Sequence, residues 1–402
     1  MSAAWITVLG LGEDGLAGLT QEARAAFDAA EVLIGGERHL ALAPSRTPER
    51  LTWRTPLKDT MEDIKHRRGK RVVVLASGDP MMFGVGATLA RHFRPDELAI
   101  VPTVGAFGLA AARLAWSLPD TAVLTLHGRK LDILNAHVAP GARLLILSED
   151  GATPQQVASA LVARGYPGSA MTVFEHMGGP KERRIDGTAA TWPHQRMADL
   201  NTIAVACVAG PDAVILPRAP GLPDELFQHD GQMTKRWVRA ATISALAPLP
   251  GQVLWDVGAG CGSVAIEWLR AAPGGQAHAI EREPKRCRMI ERNAGFFGVP
   301  YLKLVEGAAP ETLSALPAPD AVFIGGGLSA NGLAETCWEK LKPGGWLVAN
   351  AVTVEGEATL ARLHRTLGGA LIRISVSRAE QVGTMEGWRP AMPVTQLAAK
   401  KS

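Results

Sequence analysis

The residues with the clearest chemical use lie between Val253 and Gly262, V-L-W-D-V-G-A-G-C-G, with Glu281 closing the next apolar run. Val253, Leu254, Trp255 and Val257 form a short apolar segment, as a strand buried on both faces does. Gly258, Gly260 and Gly262 follow, with Ala259 and Cys261 between them, and Ser263 opens an amphipathic run to Leu269. Strand, glycine turn and helix make a cradle. A backbone without Cβ atoms admits a ligand closely, and a helix N-terminus offers unpaired N–H groups. Glu281 sits about 20 residues past the glycines, where an acid holds ribose hydroxyls. Asp256 precedes the first glycine by two residues. The third glycine comes one place earlier than in the G-x-G-x-x-G dinucleotide turn, which disfavours a nicotinamide oxidoreductase.

Two later stretches extend the pattern in order: Asp320–Gly327, D-A-V-F-I-G-G-G, and Leu341–Val348, L-K-P-G-G-W-L-V. Together these segments resemble the class I S-adenosylmethionine (SAM) methyltransferases. The resemblance implies a SAM site that takes Thr234, Asp256, Gly258 through Gly262 and Glu281. Gly307, Ala308 and Ala309 would border the adenine, and Gly325 and Gly326 would lie near the reacting methyl. Thr234 also precedes K-R-W-V-R and suits a helix N-cap; the two roles are compatible. Cys261 reads as a small neutral residue beside the cofactor rather than a nucleophile, since no histidine is near it in sequence.

The N-terminal half carries different punctuation. Val8–Thr20 reads V-L-G-L-G-E-D-G-L-A-G-L-T, and Ala76–Pro80, A-S-G-D-P, follows the apolar strand V-V-V-L-A. A turn there sits at a strand's carboxyl end, where α/β ligands bind. These motifs resemble the tetrapyrrole methyltransferases, the class III SAM enzymes. That family has two small α/β lobes with SAM in the cleft between them, here dividing near residues 117–120. Gly10, Gly78, Asp79, Pro80 and Gly105 are the implied cofactor contacts. The family places two serines or threonines where Gly105-Ala106-Phe107 stands, which leaves that contact open. His176, after a strand, reads as a core or rim histidine with a general base as the alternative.

The segment 221–239, G-L-P-D-E-L-F-Q-H-D-G-Q-M-T-K-R-W-V-R, looks like the entry segment of one corrin-pathway family. The whole chain thus resembles the precorrin-6B C5,15-methyltransferases (decarboxylating) of cobalamin biosynthesis. The resemblance implies carbon-5 methylation by the N-terminal domain. It assigns carbon-15 methylation and removal of the ring-C acetate carboxyl to the C-terminal one. An acid-rich tetrapyrrole wants cationic clamps: Arg183, Arg184, Lys235, Arg236 and Arg378 are candidates, each competing with a reading as solvated surface charge. Lys235 and Arg378 are the candidates for a catalytic role. An electron-rich ring carbon needs no strong enzymatic nucleophile, and none is evident. No metal site is expected.

Composition agrees. The 402 residues are 47% hydrophobic and 20% charged, with net charge +3. That predicts two or three domains with substantial cores and falls short of a dedicated nucleic-acid binder. The basic run Lys65–Arg71 lacks interleaved aromatics. An RNA methyltransferase is the alternative function; an exocyclic-amine methylase would place [DN]-P-P-[YFW] where Ile324-Gly325-Gly326-Gly327 stands. Cys207, Cys261, Cys287 and Cys337 show no metal spacing, so reduced thiols in the cytoplasm are expected. The apolar stretch 99–112 is broken by Pro102, Gly105 and Gly108, so no membrane span is expected. Prolines 211, 217, 220 and 223 mark a linker. The expected organisation is α/β throughout: a two-lobed class III fold over 1–212, a linker over 213–223, and a doubly wound, Rossmann-like class I fold over 224–402. The C-terminal domain is expected to form a homo-oligomer, and each domain to hold one SAM. Strands are predicted at 5–9, 32–34, 72–76, 98–101, 122–125, 144–147, 172–175 and 203–208. In the C-terminal half they fall at 253–257, 276–281, 302–306, 321–324 and 345–352, with 370–377 and 394–397 as a closing antiparallel pair.

Overall fold

A computed structural model describes residues 4–44, 49–193 and 195–402. The chain divides into two compact units. The first holds residues up to 131 and 138–214; the second holds 132–137 and 215–402.

The first unit contains two sheets. β1 (Ile6–Leu11), β2 (Val32–Ile34), β3 (Glu49–Leu51), β4 (Val72–Ser77) and β5 (Leu98–Val101) form a sheet in the order β3-β2-β4-β1-β5. All of its pairings are parallel. Its central strands are apolar on both faces for a physical reason. Ile6, Val8, Val72 and Val74 pack into one core, while Leu9, Leu11, Val73 and Leu75 pack into another. After the helix Ala106–Leu114, the chain passes through a turn at Leu118–Asp120 into the second sheet. There β6 (Ala122–Thr125), β7 (Arg143–Leu147), β8 (Ala170–Glu175), β9 (Arg183–Thr188) and β10 (Asn201–Ala206) lie in the order β6-β7-β10-β8-β9. Only β6 and β7 pair in parallel; the rest is antiparallel.

The second unit contains β11 (Val253–Val257), β12 (Gln276–Glu281), β13 (Lys303–Glu306), β14 (Ala321–Ile324), β15 (Trp346–Ala351), β16 (Ala370–Ile374), β17 (Ser377–Val382), β18 (Met385–Pro390) and β19 (Val394–Lys400). Seven of them form one sheet in the order β13-β12-β11-β14-β15-β19-β16. β19 is antiparallel to both neighbours, the closing pair that the sequence predicts. The strand order reverses between β11 and β14, the switch point at which doubly wound sheets bind ligands. This is the doubly wound α/β architecture expected for this half.

Four strands escaped the sequence reading. β3, of three residues, and β9, of six, are edge strands with polar, half-exposed faces. β17 and β18 form a separate hairpin that is almost wholly exposed, joined by Gly383-Thr384 with Gly383 at φ 64°. Strands without a buried face show no alternation to read.

The proline-rich stretch 215–223 is packed on the second unit. Leu216 and Leu222 are buried, and Arg270 donates to the carbonyls of Leu216 and Pro217. Gly221 and Leu222 donate their N–H groups to the Glu267 carboxylate at 2.7 and 2.9 Å. Glu267 also accepts from Arg239, which is fully buried and pairs with Asp224 at 2.9 Å. The same guanidinium donates to the Leu222 and Thr234 carbonyls. One arginine therefore ties 222–234 to the helix Ser263–Ala271 that follows the glycine turn. The basic run Lys65–Arg71 is likewise matched internally: Arg67 and Lys70 pair with Glu49, and Arg68 pairs with Glu97.

Removing one member of a buried ionic network strands the others, at a cost of about 3–5 kcal/mol. Arg239→Met is therefore expected to lower the unfolding free energy of the second unit by that much. Urea unfolding followed by tryptophan fluorescence measures it, and a change under about 1 kcal/mol would count against the network.

Candidate functional site

The second unit opens into a cavity of about 990 Å³ at the carboxyl ends of β11 and β14. Gly258, Ala259 and Gly260 form one wall, Gly325 and Gly326 another, and Met233, Thr234 and Lys235 the rim. Gly258, Gly260 and Gly262 all take left-handed φ values, 69°, 60° and 79°, which glycine adopts without strain. A Cβ at Gly258 would stand 2.7 Å from the backbone of Gly326. The turn is bare because two backbones meet there.

The structure sorts the expected C-terminal contacts. Thr234, Gly258, Ala259, Gly260, Gly325 and Gly326 line the cavity; Asp256, Cys261, Gly262, Glu281, Gly307, Ala308 and Ala309 are not among its lining residues. Glu281 shapes the turn from behind: its carboxylate accepts from Gly260 N–H at 2.9 Å and from Arg282 and Glu283 N–H at 3.0 Å each. Gly307 donates to the Glu281 carbonyl, and Ala309 packs against the apolar core. Cys261 is buried, which pushes its thiol up and removes it further from a nucleophile's role. Thr234 does not cap the following helix. That place is taken by Lys235, without a side-chain cap bond, and Thr234 contributes its carbonyl to Arg239.

Lys235 and Arg378 both line the cavity. Arg378 and Arg389 stand opposite each other across the β17–β18 hairpin, and both face the cavity with Glu380. Arg389 pairs with Glu380 at 2.8 Å, whereas Arg378 reaches only to 3.9 Å from Asp224. Arg286, also in the lining, is held by Asp230 at 2.8 Å. Arg236 stacks on Trp237 at 4.5 Å, outside the main cavity. Arg286, Arg389 and Asn350 were not anticipated; the hairpin that brings Arg389 carries no buried pattern.

The first unit has a smaller cleft between its two sheets, lined by Gly12, Glu13, Arg38, Ser77, Gly78, Ala106 and His176 among others. Of the expected contacts, Gly78 lines it. Gly10 and Gly105 stand behind Gly78: a Cβ on Gly78 would fall 2.6 Å from Gly105 Cα, and one on Gly10 would fall 2.6 Å from Thr103 N. Asp79 closes its own turn by accepting from Met81 N–H at 2.8 Å, and Pro80 packs under Gly84 and Gly86. In the Gly105-Ala106-Phe107 stretch, Ala106 faces the cleft and Phe107 is buried. Arg183 and Arg184 are paired with Glu175 and Asp186 on the edge of this sheet.

Several polar groups in and beside the cleft were not anticipated together. Arg38 pairs with Glu13 and donates to Ser77 Oγ at 2.8 Å; His39 Nε2 meets the same hydroxyl at 2.9 Å. Burial, helped by the Arg38 guanidinium, pushes the His39 imidazole down to about 4, so it is neutral at pH 7. His176 Nδ1 meets Glu13 at 2.9 Å.

Two family models match the chain. The model for tetrapyrrole (corrin/porphyrin) methylases covers residues 6–193, and that for the precorrin methyltransferase domain covers 225–401. A "Precorrin-6Y C(5,15)-methyltransferase [decarboxylating]" of a Sinorhizobium species is 51% identical over 398 residues, 99% of this chain and 96% of the relative. The chain belongs to the precorrin-6Y C(5,15)-methyltransferase (decarboxylating) family. Two shorter relatives each match 44% of it. A "Cobalt-precorrin-7 C(5)-methyltransferase" of Salmonella typhimurium is 33% identical, with 88% of its length covered. A "Probable cobalt-precorrin-6B C(15)-methyltransferase (decarboxylating)" of Pyrobaculum calidifontis is 35% identical, with 96% covered. The relatives are precorrin enzymes, and nothing among them favours the RNA methyltransferase reading. No helix among the described residues is long and apolar enough to cross a membrane.

Asp256 yields a test of the turn's electrostatics. It is buried; Oδ2 accepts from Ala265 N–H at 2.9 Å, and Oδ1 has no hydrogen-bond partner among the described residues. Burial pushes the carboxyl up to about 7, with a smaller upward contribution from Glu281. A raised folded-state pKa favours folding most below the ordinary carboxylate value, and that contribution is lost as pH rises through about 7. Asp256→Asn keeps the acceptor and carries no such loss. Its stability relative to the natural protein is expected to improve between pH 4 and pH 8, by a few kcal/mol at most at about 1.4 kcal/mol per pKa unit. Denaturant titrations at both pH values measure it, and a difference independent of pH would remove the assignment.

Proposed function

We propose that this chain methylates a precorrin at carbons 5 and 15 and removes the ring-C acetate carboxyl, with one SAM site in each unit. The observation that carries the reading is the pairing of two glycine-walled clefts of different fold in one chain, each in a segment matched by its own methyltransferase model. The cavity of the second unit suits SAM and part of a macrocycle. Its volume is at the upper end of ordinary ligand pockets, and the bare backbone at Gly258 and Gly260 offers close approach. When bound, SAM supplies an electrophilic methyl group on a sulfonium.

The chain's own residues position and desolvate. Gly258, Ala259, Gly260, Gly325 and Gly326 hold the cofactor against the β11–β14 switch point, with Thr234 at the rim and Glu281 rigidifying the turn. Carbon-5 methylation falls to the first unit and carbon-15 methylation with decarboxylation to the second. The Lys235 ammonium has no ion-pair partner among the described residues, and Arg378 has only a long one. Both are therefore available to the substrate's carboxylates. Lys235 orients the acetate that is lost, and Trp237 beside it lowers the local polarity, which favours release of neutral carbon dioxide. Holding the ring against the methyl donor provides much of the rate.

The reading extends to a cytoplasmic enzyme with four buried free thiols and to self-association through the second unit. Val382, Met385, Trp388 and Met392, on and after the hairpin, are 65–77% exposed, and exposed large apolar side chains suit a contact surface. Sedimentation equilibrium should give a multiple of the chain mass, lowered by Trp388→Glu.

The whole chain, given SAM and precorrin-6B, should yield a product with two methyl groups gained and one carbon dioxide lost, read by mass spectrometry. A product that keeps all its carboxyls would overturn the decarboxylase reading. Lys235→Ala should raise the KM for precorrin about 10–100-fold, the worth of one charged hydrogen bond, and leave the affinity for S-adenosylhomocysteine unchanged.

A further inference from the structure

We propose that the His176 imidazole, oriented by the Glu13 carboxylate, is the base that takes the proton displaced from the carbon methylated in the cleft of the first unit. The proposal rests on the reading that carbon 5 is methylated there. Glu13 lies just after β1 and His176 just after β8, so they come from the two different sheets of the unit. Their side chains meet in the cleft, 2.9 Å between Nδ1 and Oε2, and both line it with Ser77 and Gly78.

Three further features fit a built acid–base pair. His176 has φ 46°, a left-handed conformation that costs a non-glycine residue energy and persists only where the surroundings impose it. They do so here: its N–H donates to the Leu200 carbonyl and its own carbonyl accepts from Gly179 N–H, both at 3.1 Å. Gly179 also clears the approach, since a Cβ there would stand 2.6 Å from Glu13 Cβ. Glu13 is held in turn by Arg38 on its other oxygen. A carboxylate facing Nδ1 selects the tautomer with the hydrogen on Nδ1 and the lone pair on Nε2. Nε2 has no hydrogen-bond partner among the described residues. Its lone pair is available to the cleft.

The step balances without another reagent. Ring π electrons form the new carbon–methyl bond, and the methyl–sulfur bond of the donor breaks with its pair left on sulfur. The C–H bond at the methylated carbon then returns its pair to the ring, and the proton goes to Nε2. Glu13 stabilises the imidazolium that results.

The test uses the full chain and His176→Asn, because asparagine tolerates the left-handed backbone. Carbon-5 methylation, read by NMR of the product, should fall about 10²–10⁴-fold, the usual share of a general base. Calorimetric affinity for S-adenosylhomocysteine should stay at the wild-type value. Independently of turnover, ¹⁵N-histidine spectra of the free enzyme should show His176 with hydrogen on Nδ1. Wild-type carbon-5 methylation in His176→Asn, a hydrogen on Nε2 instead, or loss of methylation together with cofactor affinity would each overturn the proposal. If the natural enzyme itself leaves carbon 5 unmethylated, the functional reading fails, and this proposal with it.

Discussion

Close approach of backbone to backbone at the carboxyl ends of parallel strands is the constraint on which both clefts depend. In the first unit Gly10, Gly78 and Gly105 end or follow β1, β4 and β5, and no Cβ fits between Gly78 and Gly105. In the second, Gly258 and Gly326 end β11 and β14 in the same relation. Parallel sheets direct their strands' carboxyl ends to one edge, where connecting loops must diverge to reach opposite faces. Glycine allows the loops to stay in contact before diverging, and a recess opens beside that contact. Two unrelated folds thus reach a similar local solution.

Around these turns, fixed charges hold the geometry. Glu281 accepts from one N–H of the glycine turn and from two just after its own strand, and Arg239 with Glu267 and Asp224 ties the rim segment to the helix that follows. In the first unit Glu13 joins Arg38 and His176 across the two sheets. Such networks are strong only when every member is satisfied, so they specify one arrangement of the loops. Lys235 and Arg378 at the cavity and His176 Nε2 in the cleft are, among the described residues, incompletely paired.

The strands, their order along the chain and the two glycine turns were legible because buried parallel strands write uninterrupted apolar runs and tight turns demand glycine. The run V-V-V-L-A at β4 and V-L-W-D-V at β11 needed no structure to be read. The hairpin 377–390 was not legible, since neither of its faces is buried. Nor was the division of labour among the motif residues: Gly260 faces the cavity, whereas Asp256, four residues earlier, is sealed in the core.

By itself, then, the sequence determined the two α/β halves, their likeness to two different methyltransferase classes, and the glycine turns that wall the two clefts. Those features are local, written within a strand, a turn and the start of a helix. Tertiary structure alone decided that Glu13 meets His176, that Arg389 joins Arg378 at the cavity, and that Glu281 braces the turn. These contacts join residues far apart in the chain or depend on which way a buried side chain points. Both are set by how sheets and helices pack, and short-range periodicity carries no record of that.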